Sequence, residues 1–164
     1  MHLVSTFENT AVEKRLAITP EIAKKYISLG FKISLPNNYG AHLGFIDQDY
    51  KKLGVNFLSS DKEIFENADI VIQLGLPDDE KLSLLKENQT LVGSLNVFTN
   101  KEKLEKLNAK KINCFSLEML PRITRAQSMD ILSSQANLAG YKAVVEAFQV
   151  YERAIPMMMT AAGT

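Results

Sequence analysis

Ala68-Asp69-Ile70-Val71-Ile72-Gln73-Leu74-Gly75-Leu76-Pro77 is the stretch on which the fold turns. Residues 70–74 are continuously apolar apart from Gln73. A short apolar run closed by glycine and proline, with no polar alternation, reads as a strand buried on both faces, as in a parallel sheet. On its far side Leu76-Pro77-Asp78 opens a helix to which Leu82, Leu84 and Leu85 give apolar contacts. On its near side a helix runs from Ser60 or Asp61 to Asn67.

The same alternation repeats outward in both directions. Residues 3–6, 31–35, 55–58, 90–95 and 112–117 read as strands. Thr19-Pro20-Glu21 supplies an N-cap, a proline at the first helical position and an acid in the first turn of a helix that Gly30 closes. Asp47 reads as the cap of a short helix ending at Gly54, and residues 100–110 as an amphipathic helix. Strands separated by helices of about ten residues imply an α/β fold with right-handed crossovers. The expected architecture is a doubly wound, mostly parallel sheet, Rossmann-like or flavodoxin-like, with a long C-terminal helix.

The 164 residues suffice for a substantial core. Acidic and basic residues number 19 each, which gives no general reason to expect nucleic acid or an anionic membrane as partner. Cys114, the only cysteine, lies in the apolar run INCFSL and reads as a buried core thiol, without disulfide or zinc. His2 and His42 have no metal-ligand spacing and read as surface or turn residues. No signal peptide or membrane span is visible, so a cytoplasmic chain without direct membrane insertion is expected. No P-loop, G-x-S-x-G or G-x-G-x-x-G occurs, and the glycine pair Gly40/Gly44 is weak evidence for phosphate binding.

The chemistry concentrates at 121–142, PRITRAQSMDILSSQANLAGYK. After Arg122 and Arg125 come Gln127, Ser128, Asp130, Ser133, Ser134, Gln135 and Asn137, with no Lys or Glu until Lys142. Helical spacing from Gln127 onward would stack Gln127, Asp130, Ser133 or Ser134 and Asn137 on one face. Arginines before a helix N-terminus suit an anion, and the Asp, Gln and Ser groups suit hydroxyls, so a nucleotide-like ligand is one reading. The other is that Thr124-x-x-Gln127 or Ser128 caps the helix and the rest is a solvated face. The stretch follows the last strand, on the side where doubly wound sheets bind ligands. The helix is expected over roughly 127–154, with small residues Ala136, Gly140, Ala143 and Ala147 along one stripe for a partner helix or domain. Met157-Met158-Met159 reads as core or interface.

The segments EKRLAITPE (13–21), YGAHLGFIDQDYKKLGV (39–55), ADIVIQLGLP (68–77), PRITRAQSMDILSSQANLAGYKAV (121–144) and MMMTAAGT (157–164) together resemble the N-terminal domain of the alanine dehydrogenase and nicotinamide nucleotide transhydrogenase family. The 121–144 segment resembles the transhydrogenase alpha subunit more than the dehydrogenases. The resemblance implies a wall of an NAD(H) site in which Arg122, Gln127, Asp130 and Ser133 contact the cofactor. Arg122 would approach the carboxamide or phosphates, and the other three the nicotinamide and its ribose. It also implies NADP(H) on a partner component, a separate Rossmann NAD-binding domain, a membrane component coupled to proton movement, a homodimer, and a peripheral place on the inner membrane through partner subunits. Residues 1–126 would form the α/β domain, and 127–164 an interdomain helix and tail leading towards a Rossmann domain that the chain lacks.

The dehydrogenases' substrate lysine corresponds to Gly75 here, and their catalytic histidine to Asn96, so no acid–base catalytic residue is expected. Arg15 matches their carboxylate-binding arginine, but transhydrogenases keep it too, and a structural ion pair is an equal reading. Three functions follow in order. The first is the N-terminal part of a transhydrogenase NAD(H) component, inactive alone. The second is a non-catalytic dimerisation or assembly module, and the third an alanine dehydrogenase-like fragment.

Overall fold

The computed structural model describes residues 1–153, and the chain divides into two compact units, Met1–Met119 and a second from Leu120 onward. The methionine run 157–159 lies outside the described residues, and the long C-terminal helix, expected to reach about 154, ends at Val150.

The first unit is a six-stranded sheet in the order β3-β2-β1-β4-β5-β6, with every pair parallel. Its strands are β1 (His2–Val4), β2 (Lys32–Pro36), β3 (Asn56–Leu58), β4 (Ile70–Gly75), β5 (Thr90–Ser94) and β6 (Asn113–Ser116). Helices α1 (Pro20–Ser28), α2 (Asp47–Lys51), α3 (Asp61–Glu66), α4 (Asp79–Leu84) and α5 (Lys101–Ala109) alternate with them. The fold is the doubly wound sheet that the alternation of strands and helices implies.

Alternation along the strands sorts the core onto two faces. Leu3 packs with Ile33, Leu35, Tyr39, Tyr50 and Ala23, whereas the next residue, Val4, packs with Val71, Phe65, Leu91 and Leu107. In β4, Ile70 and Ile72 join the first cluster and Val71 the second. A strand that serves two cores has no solvent face, which is why 70–74 reads as an unbroken apolar run.

Three of the expected helix starts are capped as the sequence suggests. The side chains of Thr19, Ser60 and Asp78 accept from the N–H groups of Ile22, Glu63 and Lys81. Asp47 differs. It is already inside α2, and its carboxylate accepts the N–H of Asn38 at 2.9 and 3.0 Å, tying the preceding turn to the helix. Asn38 has φ 60°, and this bond offsets the strain of that left-handed position.

Cys114 is a correction to the buried thiol expected of INCFSL, because it is exposed. β6 ends the sheet, so its neighbours cover only one edge, and Phe115 beside Cys114 is 60% exposed. His42 stands in a 3₁₀ turn (Ala41–Leu43), with Nε2 2.8 Å from the carbonyl of Lys14. His2 is half-buried at the start of β1, with Nε2 2.8 Å from Ser34 Oγ, and burial lowers its pKa.

Candidate functional site

The second unit builds its site from a sharp change of backbone. Ile123 is extended, a 3₁₀ stretch runs over Thr124–Met129, and α6 occupies Ile131–Val150. Ala126 is the buried anchor of the 3₁₀ stretch, its N–H bonded to the carbonyl of Ile123 at 2.9 Å. The expected α-helical start at Gln127 is therefore corrected to Ile131. Gln127 stands in the tighter 3₁₀ segment, so Gln127, Asp130, Ser133 and Asn137 do not share one α-helical face.

The cause of the break is Asp130, which is the N-cap of α6 with φ −73° and ψ 95°. Its Oδ1 accepts the N–H groups of Leu132 and Ser133, each at 3.0 Å, and its Oδ2 accepts Ser133 Oγ at 2.6 Å. Aspartate in this position satisfies N–H groups that the first turn leaves unpaired and places negative charge on the positive end of the helix. Neither Thr124 nor Ser128, the caps expected from the sequence, makes this cap; Asp130 does.

Arg122, Ile123, Thr124, Ala126, Gln127 and Asp130 line one cavity of about 330 Å³. Three of the four residues singled out from the sequence, Arg122, Gln127 and Asp130, thus come together. Ser133 does not line the cavity; its hydroxyl and N–H are both committed to Asp130. The Ser133 hydroxyl, then its N–H, then the Leu132 N–H and the Arg122 charge hold the Asp130 carboxyl below the usual aspartate range. A depressed folded-state pKa contributes stability that is present above the ordinary aspartate value and is lost as pH falls through the depressed one. Carbon-13 NMR of the Asp130 carboxyl should show a titration below the ordinary aspartate range, and Ser133→Ala should move it upward. No movement would separate Ser133 from the cap.

The topology shows a second cleft that the sequence left unseen. Strand order reverses between β1 and β4, the switch point of the sheet. A crevice of about 380 Å³ opens there, lined in part by Glu8, Glu13, Gln73, Gly75, Asp78 and Lys81. Glu8 Oε1 accepts the N–H of Leu74 at 2.6 Å. The buried Gln73 amide, oriented by its partners, donates to the same oxygen at 2.6 Å and accepts the N–H of Thr6 at 2.9 Å. Burial pushes the Glu8 carboxyl up, against the N–H groups of Leu74 and Gly75. Gln73, the lone polar residue in an apolar strand, was the available signal.

Arg15 is paired with Glu13, Nε to Oε1 at 2.8 Å and a terminal nitrogen to Oε2 at 2.6 Å. Gly75 is partly buried beside Glu8, and Asn96 is exposed with φ 50°. Among the described residues no group of three or more His, Cys, Asp or Glu is placed to hold a metal, and no helix is long and apolar enough to cross a membrane.

Comparison with known proteins gives a consistent result. The family described as alanine dehydrogenase/PNT, N-terminal domain, matches residues 6–139. An NAD(P) transhydrogenase subunit alpha protein of Rickettsia prowazekii is 39% identical over 168 residues, covering 100% of this chain and 44% of that protein. Its counterpart from Rhodospirillum rubrum is 40% identical over 157 residues, covering 93% and 41%. The crystal structure of transhydrogenase from Sinorhizobium meliloti superposes with a TM-score of 0.83 at 36% identity, covering 98% of this chain and 48% of that one. The chain spans less than half the length of these relatives.

Proposed function

This chain belongs to the alanine dehydrogenase/PNT N-terminal domain family, and from that premise we propose that it is the N-terminal part of the NAD(H)-binding component of a proton-translocating NAD(P) transhydrogenase. In this reading it forms one wall of the NAD(H) site. A Rossmann domain supplies the other wall, NADP(H) is held by a partner component, and a membrane component couples the exchange to proton movement. The chain would then lie in the cytoplasm, peripheral to the inner membrane through those partners.

The observation that carries the reading is the shared cavity of Arg122, Gln127 and Asp130. Its donor set fits the cofactor. A guanidinium matches phosphate or carboxamide oxygen, and the Gln127 amide both donates and accepts, as a carboxamide or ribose hydroxyl requires. Asp130 acts through α6, fixing where the 3₁₀ stretch ends and so where Gln127 stands. NAD(H), when bound, supplies the hydride chemistry. The chain's role is to bind and orient, since direct transfer between nicotinamides requires position and no protein acid or base. Gly75 and Asn96, where dehydrogenases carry lysine and histidine, argue against amino-acid oxidation. Fluorescence titration of NADH into the chain joined to a matching Rossmann domain tests the site, and affinity unchanged by Gln127→Ala would count against it.

A second reading, a dimerisation or assembly module, draws on α6. This helix of 20 residues has no buried residue, and exposed Leu138, Tyr141, Val144, Val145 and Phe148 recur at helical spacing along one side of it. An uncovered apolar stripe of this length is built to be covered. A Cβ on Gly140 would meet no atom within 4 Å. Gly140→Leu is therefore harmless to an isolated chain, and in sedimentation it should shift an oligomer toward monomer; wild-type monomer at high concentration would reject the module.

A further inference from the structure

Beyond the NAD(H) reading, the groove between α4 and α5 has the features of a docking surface. It measures about 270 Å³. Its floor is apolar, made by Leu82 and Leu107, which are 7% and 1% exposed and belong to the Val4/Val71 core. Along one wall Lys103, Lys106 and Lys110 recur at i, i+3 and i+7, so all three stand on one side of α5. The opposite wall carries a single carboxylate, Asp79.

The three lysines do different things. Lys103 reaches across to Asp79 Oδ2 at 3.5 Å. Lys110 crosses at the other end, donating to the carbonyls of Ser83 at 2.9 Å and Leu82 at 3.5 Å in the last turn of α4, where carbonyls run short of helical partners. These two bridges hold the helices together at either end. The ammonium of Lys106, exposed between them, has no hydrogen-bond or ion-pair partner among the described residues. Three cations face one carboxylate here, in a chain whose acidic and basic residues balance at 19 each. The local excess is not a by-product of a basic protein.

From this juxtaposition we propose that the α4/α5 groove docks an acidic segment of a partner protein, one that places an apolar side chain against Leu82 and Leu107 and a carboxylate on Lys106. Charge complementarity selects the occupant. Nucleic acid is a poorer match, because the groove has no arginine or aromatic group and Asp79 would face phosphates. A bilayer is also a poorer match, because the groove is concave.

The test titrates the 164-residue chain with an acetylated, amidated peptide of sequence DELFDEL, read by amide proton–nitrogen NMR. A lysine counterpart, KKLFKKL, serves as control. Expected are saturable shifts centred on Leu82, Ser83, Lys106 and Leu107 that weaken as salt is raised. Lys106→Glu, an exposed change that should leave the remaining spectrum in place, should weaken the acidic peptide roughly tenfold or more by turning attraction into repulsion. Absence of saturation, equal binding of the lysine peptide, or Lys106→Glu without effect would each overturn the proposal. Tighter binding at the same residues by an oligothymidine or a phosphatidylglycerol vesicle would overturn it in favour of that occupant.

Discussion

Joined to a matching Rossmann domain, the Arg122→Ala variant is expected to bind NADH roughly 10- to 100-fold more weakly, which corresponds to about 1.5–3 kcal/mol for hydrogen bonding with a charged partner. Arg122 is exposed and lines the cavity with Gln127 and Asp130. Its removal should therefore leave folding stability within roughly 0.5 kcal/mol, as for other surface substitutions. Arg122→Lys restores the charge without the planar fork, so it should recover only part of the affinity. Because the Arg122 charge also helps hold Asp130 low, the Asp130 titration should rise in the alanine variant. Calorimetric affinity equal to wild type for that variant would remove Arg122 from the site.

The largest stability effect is expected at Gly93→Ala. Gly93 is on β5, beside β4, and an added Cβ would fall within clashing distance of the Gln73 carbonyl oxygen and 3.3 Å from its carbon. Both obstacles are backbone, so no side chain can swing aside. The β4/β5 register is already irregular between Ile72 and Gly75, where the strands approach at this point. Displacing β4 would also disturb the Gln73 amide, which bridges Thr6 and Glu8. A loss on the order of 1–3 kcal/mol or more is expected, the usual range for overpacking in a filled interior. Urea unfolding should show a lower midpoint with an unchanged slope. A midpoint equal to wild type would mean that β4 and β5 separate more easily than their contacts imply.

Much of this fold was legible in the residues because each signal was local. Thr19, Ser60 and Asp78 announce helices through bonds to N–H groups three residues on, and 70–74 announces a two-sided strand. Strand order was not legible, because the β1/β4 pairing is set by distant residues and by the faces that Leu3 and Val4 present. The switch-point crevice followed from that order and was hidden with it. Cys114 was misplaced because apolar composition does not distinguish an edge strand from a central one. Asp130 was recognised as a polar site residue, while its capping role was obscured by Thr124 and Ser128, which carry the same chemistry nearby. Arg122 and Gln127 were visible as a departure from the Lys and Glu of other surfaces, and the cavity that joins them depends on the 3₁₀ geometry.

Strand β1 has a consequence for how the chain is made. Its three residues pair with β2 through Leu3↔Ile33 on one side and with β4 through Leu3↔Ile70 on the other. During synthesis its first edge can be satisfied once residue 33 has emerged, but its second must wait for the whole β2–α2–β3–α3 passage. Until then a nascent chain carries Leu3 and Val4 beside a bare parallel edge, in a topology whose distant pairings form slowly. A chain that folds as it is made would hold only a half sheet until the Ile70 strand arrives, with β1 as its open edge.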